Sequence, residues 1–229
     1  MKLLRFSVCA LLSTRHLSMA SMMQQKKATR NAVKEALERL PASAISAQSG
    51  DIASALFAFD KFAGCKAVCI YLSMASEVAT YPIVERCLRE KKRVFIPKVT
   101  GKGPADMVLH ELASFDEIER FPRGKWNIPE PDLSPAELSL PEKYFGALDL
   151  IVVPGVAFDR RCSRVGHGKG YYDCFISRVQ KLCRAEGRAP PLKVALSLQE
   201  QMFDEVPSEG HDEKMDYIIT STSIVASEG

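Results

Sequence analysis

Three glycines alternate with a histidine and a lysine at residues 166–170, directly before a predicted helix. Glycine lets the backbone turn its N–H groups toward one point and lets a ligand come close. The helix N-terminus adds a partial positive charge, and Arg164 and Lys169 add full charges. An isolated glycine-rich turn with solvated bases is the ordinary alternative. Here the glycines, the bases and a strand-to-helix context coincide, which predicts an anion cradle suited to a polyphosphate. The spacing matches neither G-x-x-x-x-G-K-[ST] nor G-x-G-x-x-G.

Two carboxylates and two further bases can serve the same cradle. Asp173 lies one helical turn beyond it, where a carboxylate can hold Mg²⁺ that bridges phosphate oxygens. Asp212 precedes the last predicted strand and can supply a second carboxylate to that metal. Lys26 and Arg30 are one helical turn apart, so both side chains can reach one anion. A solvated basic face explains the spacing of these two bases about equally well.

Three other side chains are candidates for holding an organic ligand. Glu77 stands just past a predicted strand, where a carboxylate faces the crevice at the end of a sheet. Trp126 and Tyr172 can each stack on a planar ring, and packing in the core is the alternative for both.

The elements that must position these residues alternate between strands and helices. Periodicity predicts strands at residues 66–73, 93–99, 106–112, 148–154, 193–198 and 216–220, and helices at 24–40, 81–91, 171–184 and from 43 onward. Segment 148–154 is apolar throughout and predicts a strand that is buried on both faces, whereas 106–112 alternates as an edge strand does. The pattern predicts a single α/β domain of three layers, α/β/α, with a largely parallel sheet and mixed edges. Such sheets bind ligands beyond the carboxyl ends of their strands.

Composition excludes several classes of protein. The chain has 229 residues, of which 46% are hydrophobic, so it can bury a core and is not a disordered protein. The net charge is +3, but seven bases and no acid lie in residues 1–34, and the remainder is mildly acidic. This distribution argues against a nucleic-acid-binding protein. The seven cysteines include no C-x-x-C pair, which argues against a zinc or disulfide framework and for a reducing compartment. Bases interrupt every apolar run before about 18 residues, so we expect no membrane-spanning helix.

The first 25 residues have the composition of a targeting segment. They contain no acid, four serines and spaced bases, which is typical of a mitochondrial transit peptide. A secretory signal is the alternative interpretation. Its apolar stretch would be short, and the secreted protein would carry seven thiols into an oxidising compartment. Translation from Met19, Met22 or Met23 would give a cytoplasmic form.

Five motifs together resemble the 5-formyltetrahydrofolate cyclo-ligases, also called methenyltetrahydrofolate synthetases. In chain order they are KKATR, YLSMASE, KWNIPEP, PGVAFDRRCSRVGHGKGYYD and HDEKMDYIIT. The resemblance covers roughly residues 26 to 220, and its G-x-G-K-G-Y-Y-D block is highly specific. After the leader that composition predicts at 1–25, it implies a catalytic domain at 26–229.

The resemblance implies an enzyme that uses ATP and Mg²⁺ to convert 5-formyltetrahydrofolate to 5,10-methenyltetrahydrofolate, releasing ADP and phosphate. The formyl oxygen would be phosphorylated and N10 would then close the ring, with Lys169 and Arg164 as the catalytic cations. The implied ATP contacts are Lys26, Arg30, Arg164, Val165, Gly166, His167, Gly168, Lys169, Gly170, Tyr171 and Tyr172. The implied folate contacts are Leu72, Glu77, Trp126, His167, Lys169 and Tyr171, and the implied metal ligands are Asp173 and Asp212. We expect a monomer whose partners are ATP and a folate, with or without a polyglutamate chain, and neither nucleic acid nor a membrane.

The chain departs from the family pattern at two places. Cys162 and Ser163 stand where the family often has glycine, which predicts a different turn before Arg164. His167 occupies a position that is more often tyrosine or arginine, which predicts a different contact to the phosphate or the formyl oxygen. A non-catalytic relative of the family and a sugar-phosphate isomerase or CoA-transferase relative are the competing interpretations. The retained Arg164, Lys169, Tyr172 and Asp173 argue against the first. Folate specificity at Glu77 and Trp126 would distinguish the family from the second.

Overall fold

A computed structural model describes the backbone of residues 6–124 and 127–227, and the side chains of these residues except 6–20, 136 and 137. The helices are α1 (Phe6–Glu38), α2 (Ala42–Ala58), α3 (Asp60–Ala63), α4 (Tyr81–Arg89), α5 (Glu117–Arg120), α6 (Pro135–Ser139) and α7 (Tyr171–Ala185), with 3-10 turns at Phe145–Ala147 and Gln199–Gln201. The strands are β1 (Ala67–Cys69), β2 (Arg93–Val99), β3 (Met107–Leu112), β4 (Leu150–Val153), β5 (Ala157–Asp159), β6 (Arg164–Val165), β7 (Leu192–Leu196), β8 (Met202–Phe203), β9 (Tyr217–Ile219) and β10 (Ile224–Ala226).

Seven of these strands form one sheet in the order β10-β9-β7-β4-β1-β2-β3. The five central strands are parallel, and β3 and β10 pair antiparallel at the two edges. Val68 on β1 lies opposite Val94 on one side and Leu150 on the other, which fixes the central register. The predicted largely parallel sheet with mixed edges is confirmed.

Helices cover both faces of the sheet, and β4 divides the core between them. Leu150 and Val152 pack into the cluster under α2 and α4, while Ile151 and Val153 pack into the cluster under α7. All four side chains are fully buried. Strand β4 is therefore buried on both faces, as its unbroken apolar run predicts, and its carboxyl end is held rigidly.

A small second sheet, in the order β6-β5-β8, carries the chain from β4 to the glycine-rich segment. The carboxylate of Asp159 accepts the N–H groups of Arg161 and Ser163, each at 2.9 Å, and that of Val206 at 3.1 Å. Cys162 lies in this turn with φ 59°, in the left-handed region that favours glycine. The turn before Arg164 therefore lacks the glycine of the family pattern and keeps a backbone conformation that glycine adopts easily.

The structure differs from the sequence prediction in the extent of two elements. Helix α1 begins at Phe6 and not near residue 24, so most of the acid-free leader continues the helix. Strand β1 ends at Cys69 because the chain leaves the sheet soon after the N–H of Ile70 bonds to the carbonyl of Phe95 at 2.9 Å. Within the described residues, none of the helices combines the length and apolarity that a bilayer crossing requires.

Candidate active site

A cavity of about 720 Å³ lies beyond the carboxyl end of β4, where the prediction places a ligand. Its wall contains every residue predicted to touch a polyphosphate: Lys26, Arg30, Arg164, Val165, Gly166, His167, Gly168, Lys169, Gly170, Tyr171 and Tyr172. Asp173 and Asp212, the two predicted metal ligands, line the same cavity. Residues that are far apart in the chain thus meet around one space, which is large enough for a small organic ligand.

The glycine-rich segment is shaped by two left-handed residues and by Arg30. Gly168 has φ 91°, and Gly170, the residue that precedes the first turn of α7, has φ 69°. The Nε of Arg30 donates to the carbonyl of Gly166 at 2.7 Å. A β-carbon added at Gly168 would lie 3.2 Å from an Arg30 guanidinium nitrogen, so glycine is also what lets the arginine lie against the loop. Burial lowers the pKa of Arg30, and the nearby charge of Asp212 opposes this shift.

Arg164 and Asp173 form a buried ion pair under the loop. An Nη2 to Oδ1 distance of 2.7 Å joins them, and the arginine side chain is only 4% exposed. Its Nη1 donates to the carbonyl of Pro154 at 3.1 Å, while Asp173 also accepts the N–H of Glu213 at 3.1 Å. The Nε of Arg164 is buried and has no partner within the part of the chain that the structure describes. A buried donor without an acceptor is costly, which makes this nitrogen a candidate for a hydrogen bond to a bound ligand or water.

A second set of ion pairs joins α1 to the loop before β9. The Nζ of Lys26 lies 2.6 Å from Asp212 Oδ2 and 2.9 Å from Glu209 Oε2. Asp212 Oδ2 also accepts the N–H of Glu209 at 2.7 Å. Burial alone would lower the pKa of Lys26, but the hydrogen bonds from its ammonium to Asp212 and Glu209 raise the pKa above the ordinary value. Lys26 is therefore a fully charged ammonium held on two carboxylates.

Lys169 and Tyr171 face the same cavity from either side of Gly170. The hydroxyl of Tyr171 donates to the carbonyl of Gly101 at 3.0 Å. Lys169 is exposed, and within the described residues its ammonium has neither a hydrogen bond nor an ion pair. Its charge is thus available to a bound anion. Burial raises the pKa of Tyr172, which keeps that phenol neutral.

The loop that carries Glu77 reaches the glycine-rich segment. Thr80 ties this loop together, because its hydroxyl donates to the carbonyl of Tyr71 at 2.7 Å and its N–H donates to Ser73 Oγ at 3.1 Å. Glu77 Oε2 accepts the N–H of Met74 at 2.8 Å, and Oε1 lies 3.8 Å from His167 Nε2. The side chain of Glu77 is 13% exposed and that of His167 is 59% exposed. This approach places the carboxylate beside the loop.

Three predicted folate contacts are not placed on the cavity wall. Glu77 approaches His167 of the loop at 3.8 Å but is not one of the described residues that line the cavity. Leu72 is 5% exposed and packs in the core cluster, and among the described residues it does not line the cavity. Trp126 lies outside the described residues.

The donor set of the cavity fits one magnesium ion that a phosphate also coordinates. Asp173 and Asp212 each present one carboxylate oxygen that is not used in the ion pairs described above. Mg²⁺ is commonly held by one or two carboxylates, the phosphates of a substrate and water. No group of three or more His, Cys, Asp or Glu side chains that could hold a metal by itself occurs among the described residues. The residues therefore suit a metal that arrives with a phosphate ligand.

Sequence reasoning missed Glu209, which shares Lys26 with Asp212. Its signal was its position three residues before Asp212 across Gly210, a spacing that lets a backbone N–H turn back onto an aspartate side chain. The contact between Glu209 and Lys26 could not be predicted from the sequence, because 183 residues separate them in the chain.

Comparison with known proteins gives a consistent result. The model of the 5-formyltetrahydrofolate cyclo-ligase family matches residues 22–221. A Schizosaccharomyces pombe protein named "Probable 5-formyltetrahydrofolate cyclo-ligase" is 34% identical, over 89% of this chain and 98% of that protein. An Arabidopsis thaliana protein named "5-formyltetrahydrofolate cyclo-ligase, mitochondrial" is 30% identical, over 90% of this chain and 77% of the relative. The solved structure of Aquifex aeolicus 5,10-methenyltetrahydrofolate synthetase superposes with a TM-score of 0.66 at 27% identity, over 89% of this chain and 93% of that structure.

Proposed function

The chain belongs to the 5-formyltetrahydrofolate cyclo-ligase family and is an enzyme of that activity, and we propose that it drives ring closure by phosphorylating the formyl oxygen with ATP. The observation that carries this mechanism is the single cavity in which Arg164, Lys169 and the glycine-rich loop converge. These groups lie beside Glu77, which approaches His167 at 3.8 Å. A site for a transferring phosphoryl group and a site for a pterin would then be adjacent.

The proposed reaction has two steps. The formyl oxygen attacks the γ-phosphorus of ATP, a new P–O bond forms, the bond to the β-phosphate oxygen breaks, and ADP leaves. The lone pair of N10 then attacks the formyl carbon, the C–O bond breaks, and phosphate departs with the former formyl oxygen. N10 loses its proton, and the product is the 5,10-methenyl amidinium. Phosphorylation is needed because an amide oxygen is a poor leaving group.

Positioning and positive charge are the main requirements of phosphoryl transfer. We assign Lys169 to the γ-phosphate, because its ammonium is free of protein partners among the described residues. Arg164 would donate its unpartnered Nε to a phosphate oxygen or to a water bound there. The amides of residues 166–170, which line the cavity, and the first turn of α7 would add further donors. Lys26 and Arg30 would complete the ATP contacts from α1.

Asp173 and Asp212 would hold Mg²⁺ on the same side as the phosphates. The ion would neutralise the charge of the β- and γ-phosphates during transfer. Arg164 keeps one oxygen of Asp173 fixed at 2.7 Å, so the orientation of that carboxylate is set before any metal binds.

The folate would lie toward Glu77. A carboxylate at this position can accept hydrogen bonds from the ring N–H groups of a pterin. His167, Lys169 and Tyr171 would surround the formyl group, Leu72 would support the pocket from the core, and Trp126 would cover the ring. The partners are thus ATP and a reduced folate, with or without a polyglutamate chain, and the catalytic domain is residues 26–229 of a monomeric enzyme.

We also propose that residues 1–25 direct the chain to mitochondria. The basic, acid-free composition of this segment supports the assignment, as does the mitochondrial name of the Arabidopsis relative. Translation from Met19, Met22 or Met23 would yield a cytoplasmic form that retains Lys26 and Arg30.

The experiment that tests the proposed function is a spectroscopic assay of the purified chain lacking residues 1–25. We expect the strong near-ultraviolet absorbance of 5,10-methenyltetrahydrofolate to appear only when 5-formyltetrahydrofolate, ATP and Mg²⁺ are all present. Product formation without nucleotide would exclude phosphorylation of the formyl oxygen. Binding of the folate without any turnover would identify a non-catalytic relative.

A further inference from the structure

The Lys26 ammonium already neutralises one of the two carboxylates that the proposed function gives to magnesium. It contacts Asp212 Oδ2 at 2.6 Å and Glu209 Oε2 at 2.9 Å. The lysine and Asp212 side chains are 12% and 14% exposed, so water screens this pair weakly. The same Asp212 oxygen also accepts the N–H of Glu209. The negative charge of Asp212 is therefore paired with Lys26, and its Oδ2 is occupied by two hydrogen bonds.

A metal ion and this ammonium cannot share Asp212 without cost. Two cations placed a few ångströms apart in a half-buried site repel each other strongly. Either the ammonium moves when a divalent cation binds, or the cation binds weakly. A lysine side chain is flexible and can move by changing its rotamers while its backbone stays fixed. Arg30, one turn further along α1, holds that helix against the glycine-rich loop at 2.7 Å, so the motion would be confined to the side chain.

Glu209 provides a second carboxylate with which the Lys26 ammonium forms an ion pair. Nothing in the proposed mechanism uses this residue, yet it is 25% exposed and lies on the cavity wall in direct contact with Lys26. Its backbone also fixes Asp212, since the two residues exchange hydrogen bonds at 2.7 Å and 3.0 Å. Glu209 thus sets the position of both the lysine and the aspartate.

We propose that Lys26 acts as an internal cation that competes with the divalent metal for Asp212, and that Glu209 is the positioning residue that holds it there. Without nucleotide, the ammonium occupies the carboxylates and metal binding is weak. When ATP enters, its phosphates attract the ammonium away from Asp212, whose freed carboxylate then takes the metal that the phosphates also bind. Metal binding is thereby coupled to nucleotide binding. This inference rests on the proposed function in one respect, the assignment of Asp212 as a metal ligand.

The test is a titration of nucleotide-free protein with Mn²⁺, in which the electron paramagnetic resonance signal measures the free metal. The variants are Lys26→Met and the matched control Lys27→Met, which removes an equal charge from an exposed neighbour that does not line the cavity. We expect Lys26→Met to bind Mn²⁺ about tenfold more tightly than wild type, the gain expected if the ammonium occupies Asp212 roughly nine-tenths of the time. Lys27→Met should bind Mn²⁺ as wild type does.

Equal Mn²⁺ affinity in wild type and Lys26→Met would overturn the competition, as would an equal gain in Lys27→Met, which would reduce it to a general charge effect. Glu209→Gln should tighten Mn²⁺ binding two- to threefold, because it loosens the ammonium. Weaker binding would make Glu209 a metal ligand and overturn its positioning role.

Adding Asp212→Asn to Lys26→Met separates this inference from the proposed function. If the second change abolishes the gain, the competition takes place at Asp212 as proposed. If it leaves the Mn²⁺ affinity of Lys26→Met unchanged, Asp212 is not a metal ligand and both claims fail. If Asp212→Asn alone weakens Mn²⁺ binding while Lys26→Met has no effect, the metal assignment stands and only the inference fails.

Discussion

Among the lysines and arginines that line the cavity, Lys169 is the one whose charge is least engaged by other described residues. Arg164, Lys26 and Arg30 are each engaged by a carboxylate or a carbonyl, whereas the Lys169 ammonium stands exposed at the cavity without such a partner among the described residues. Transition-state charge is stabilised most effectively by a cation that no other group neutralises. At the scale of single residues, Lys169 is therefore expected to contribute most to the electrostatic stabilisation of the transition state.

Lys169→Ala should leave the fold intact and lower the turnover rate by about 10²-fold or more, as expected on removing one charge contact to a transition state. The measurement is kcat in the absorbance assay, with circular dichroism to follow the fold. Lys181→Ala, which removes an exposed lysine from α7, is the matched control and should keep the wild-type rate. An unchanged kcat in Lys169→Ala would remove its assigned role.

At Cys162 we expect the backbone conformation to determine whether glycine or alanine is the more stable replacement. Its φ of 59° strains any residue with a β-carbon. We expect Cys162→Gly to be more stable than Cys162→Ala by about 1 kcal/mol in the free energy of unfolding. Chemical denaturation of the two variants measures the difference.

Cys183 provides the control, because it is equally buried but lies within α7. There Gly should be less stable than Ala by about 1 kcal/mol, the usual order in a helix. The same order at both positions would show that Cys162 is not strained.

At the scale of elements, the glycine-rich loop depends on a side chain from α1. Arg30 donates to Gly166 and lies against Gly168, so the helix and the loop form one wall of the cavity. Because Gly168 carries no β-carbon, the guanidinium lies against the loop without crowding. The shape of the proposed phosphate site is thus set jointly by two elements that are more than 130 residues apart in the chain.

Gly168→Ala should raise the KM for ATP about tenfold, because the new β-carbon lies 3.2 Å from the Arg30 guanidinium and forces it away from the loop. Steady-state kinetics measure this change. Gly187→Ala is the matched control, because Gly187 also has a positive φ, 64°, but has no atom within 4 Å of an added β-carbon. Both variants should lose about 1 kcal/mol of stability, and a KM that rises equally in both would contradict the contact-based explanation.

The long or strongly apolar elements could be predicted from the sequence, while the short ones could not. Strands β2 and β4 and helix α7 have enough residues for their burial pattern to be recognised. The sheet of β5, β6 and β8 has strands of only two or three residues, too short to display a period. The turn at Cys162 contains no glycine, so its left-handed backbone conformation could not be predicted from the sequence.

In the candidate site, too, features that are local in the chain could be predicted from the sequence, and contacts between distant segments could not. Residues 166–170 are contiguous, so an anion cradle could be predicted there from the sequence alone. The placement of Asp173 near the cradle could be predicted from helical spacing. The pairing of Lys26 with Glu209 and Asp212 depends on how α1 packs against the far end of the chain, which periodicity cannot express. The approach of His167 to Glu77 likewise depends on the order of strands in the sheet.

At the scale of the whole molecule, the carboxyl ends of β2 and β4 reach the cavity through Val99 and Pro154, and the acid-free segment 1–25 reaches it through Met23. Lys26 directly follows the predicted leader, so removal of residues 1–25 would take Met23 from the cavity wall but leave the polar contacts of Lys26 and Arg30 in place. Targeting and catalysis can therefore occupy adjacent stretches of one helix.

A fluorescent protein fused to residues 1–25 should enter mitochondria in living cells, because the segment presents bases without acids. Fluorescence microscopy with a mitochondrial stain measures the localisation. The control replaces Lys2, Arg5 and Arg15 with glutamine and should stay in the cytoplasm. A diffuse signal from the unaltered fusion would remove the targeting role.

The fate of one oxygen atom tests the central claim, that the cavity brings the terminal phosphoryl group of ATP onto the formyl oxygen. The enzyme would be given ATP, Mg²⁺ and 5-formyltetrahydrofolate labelled with ¹⁸O in the formyl group, and the inorganic phosphate would be analysed by mass spectrometry. We predict that the phosphate carries the label, one ¹⁸O for each methenyltetrahydrofolate formed. Unlabelled phosphate, with the ¹⁸O recovered in water, would contradict the account.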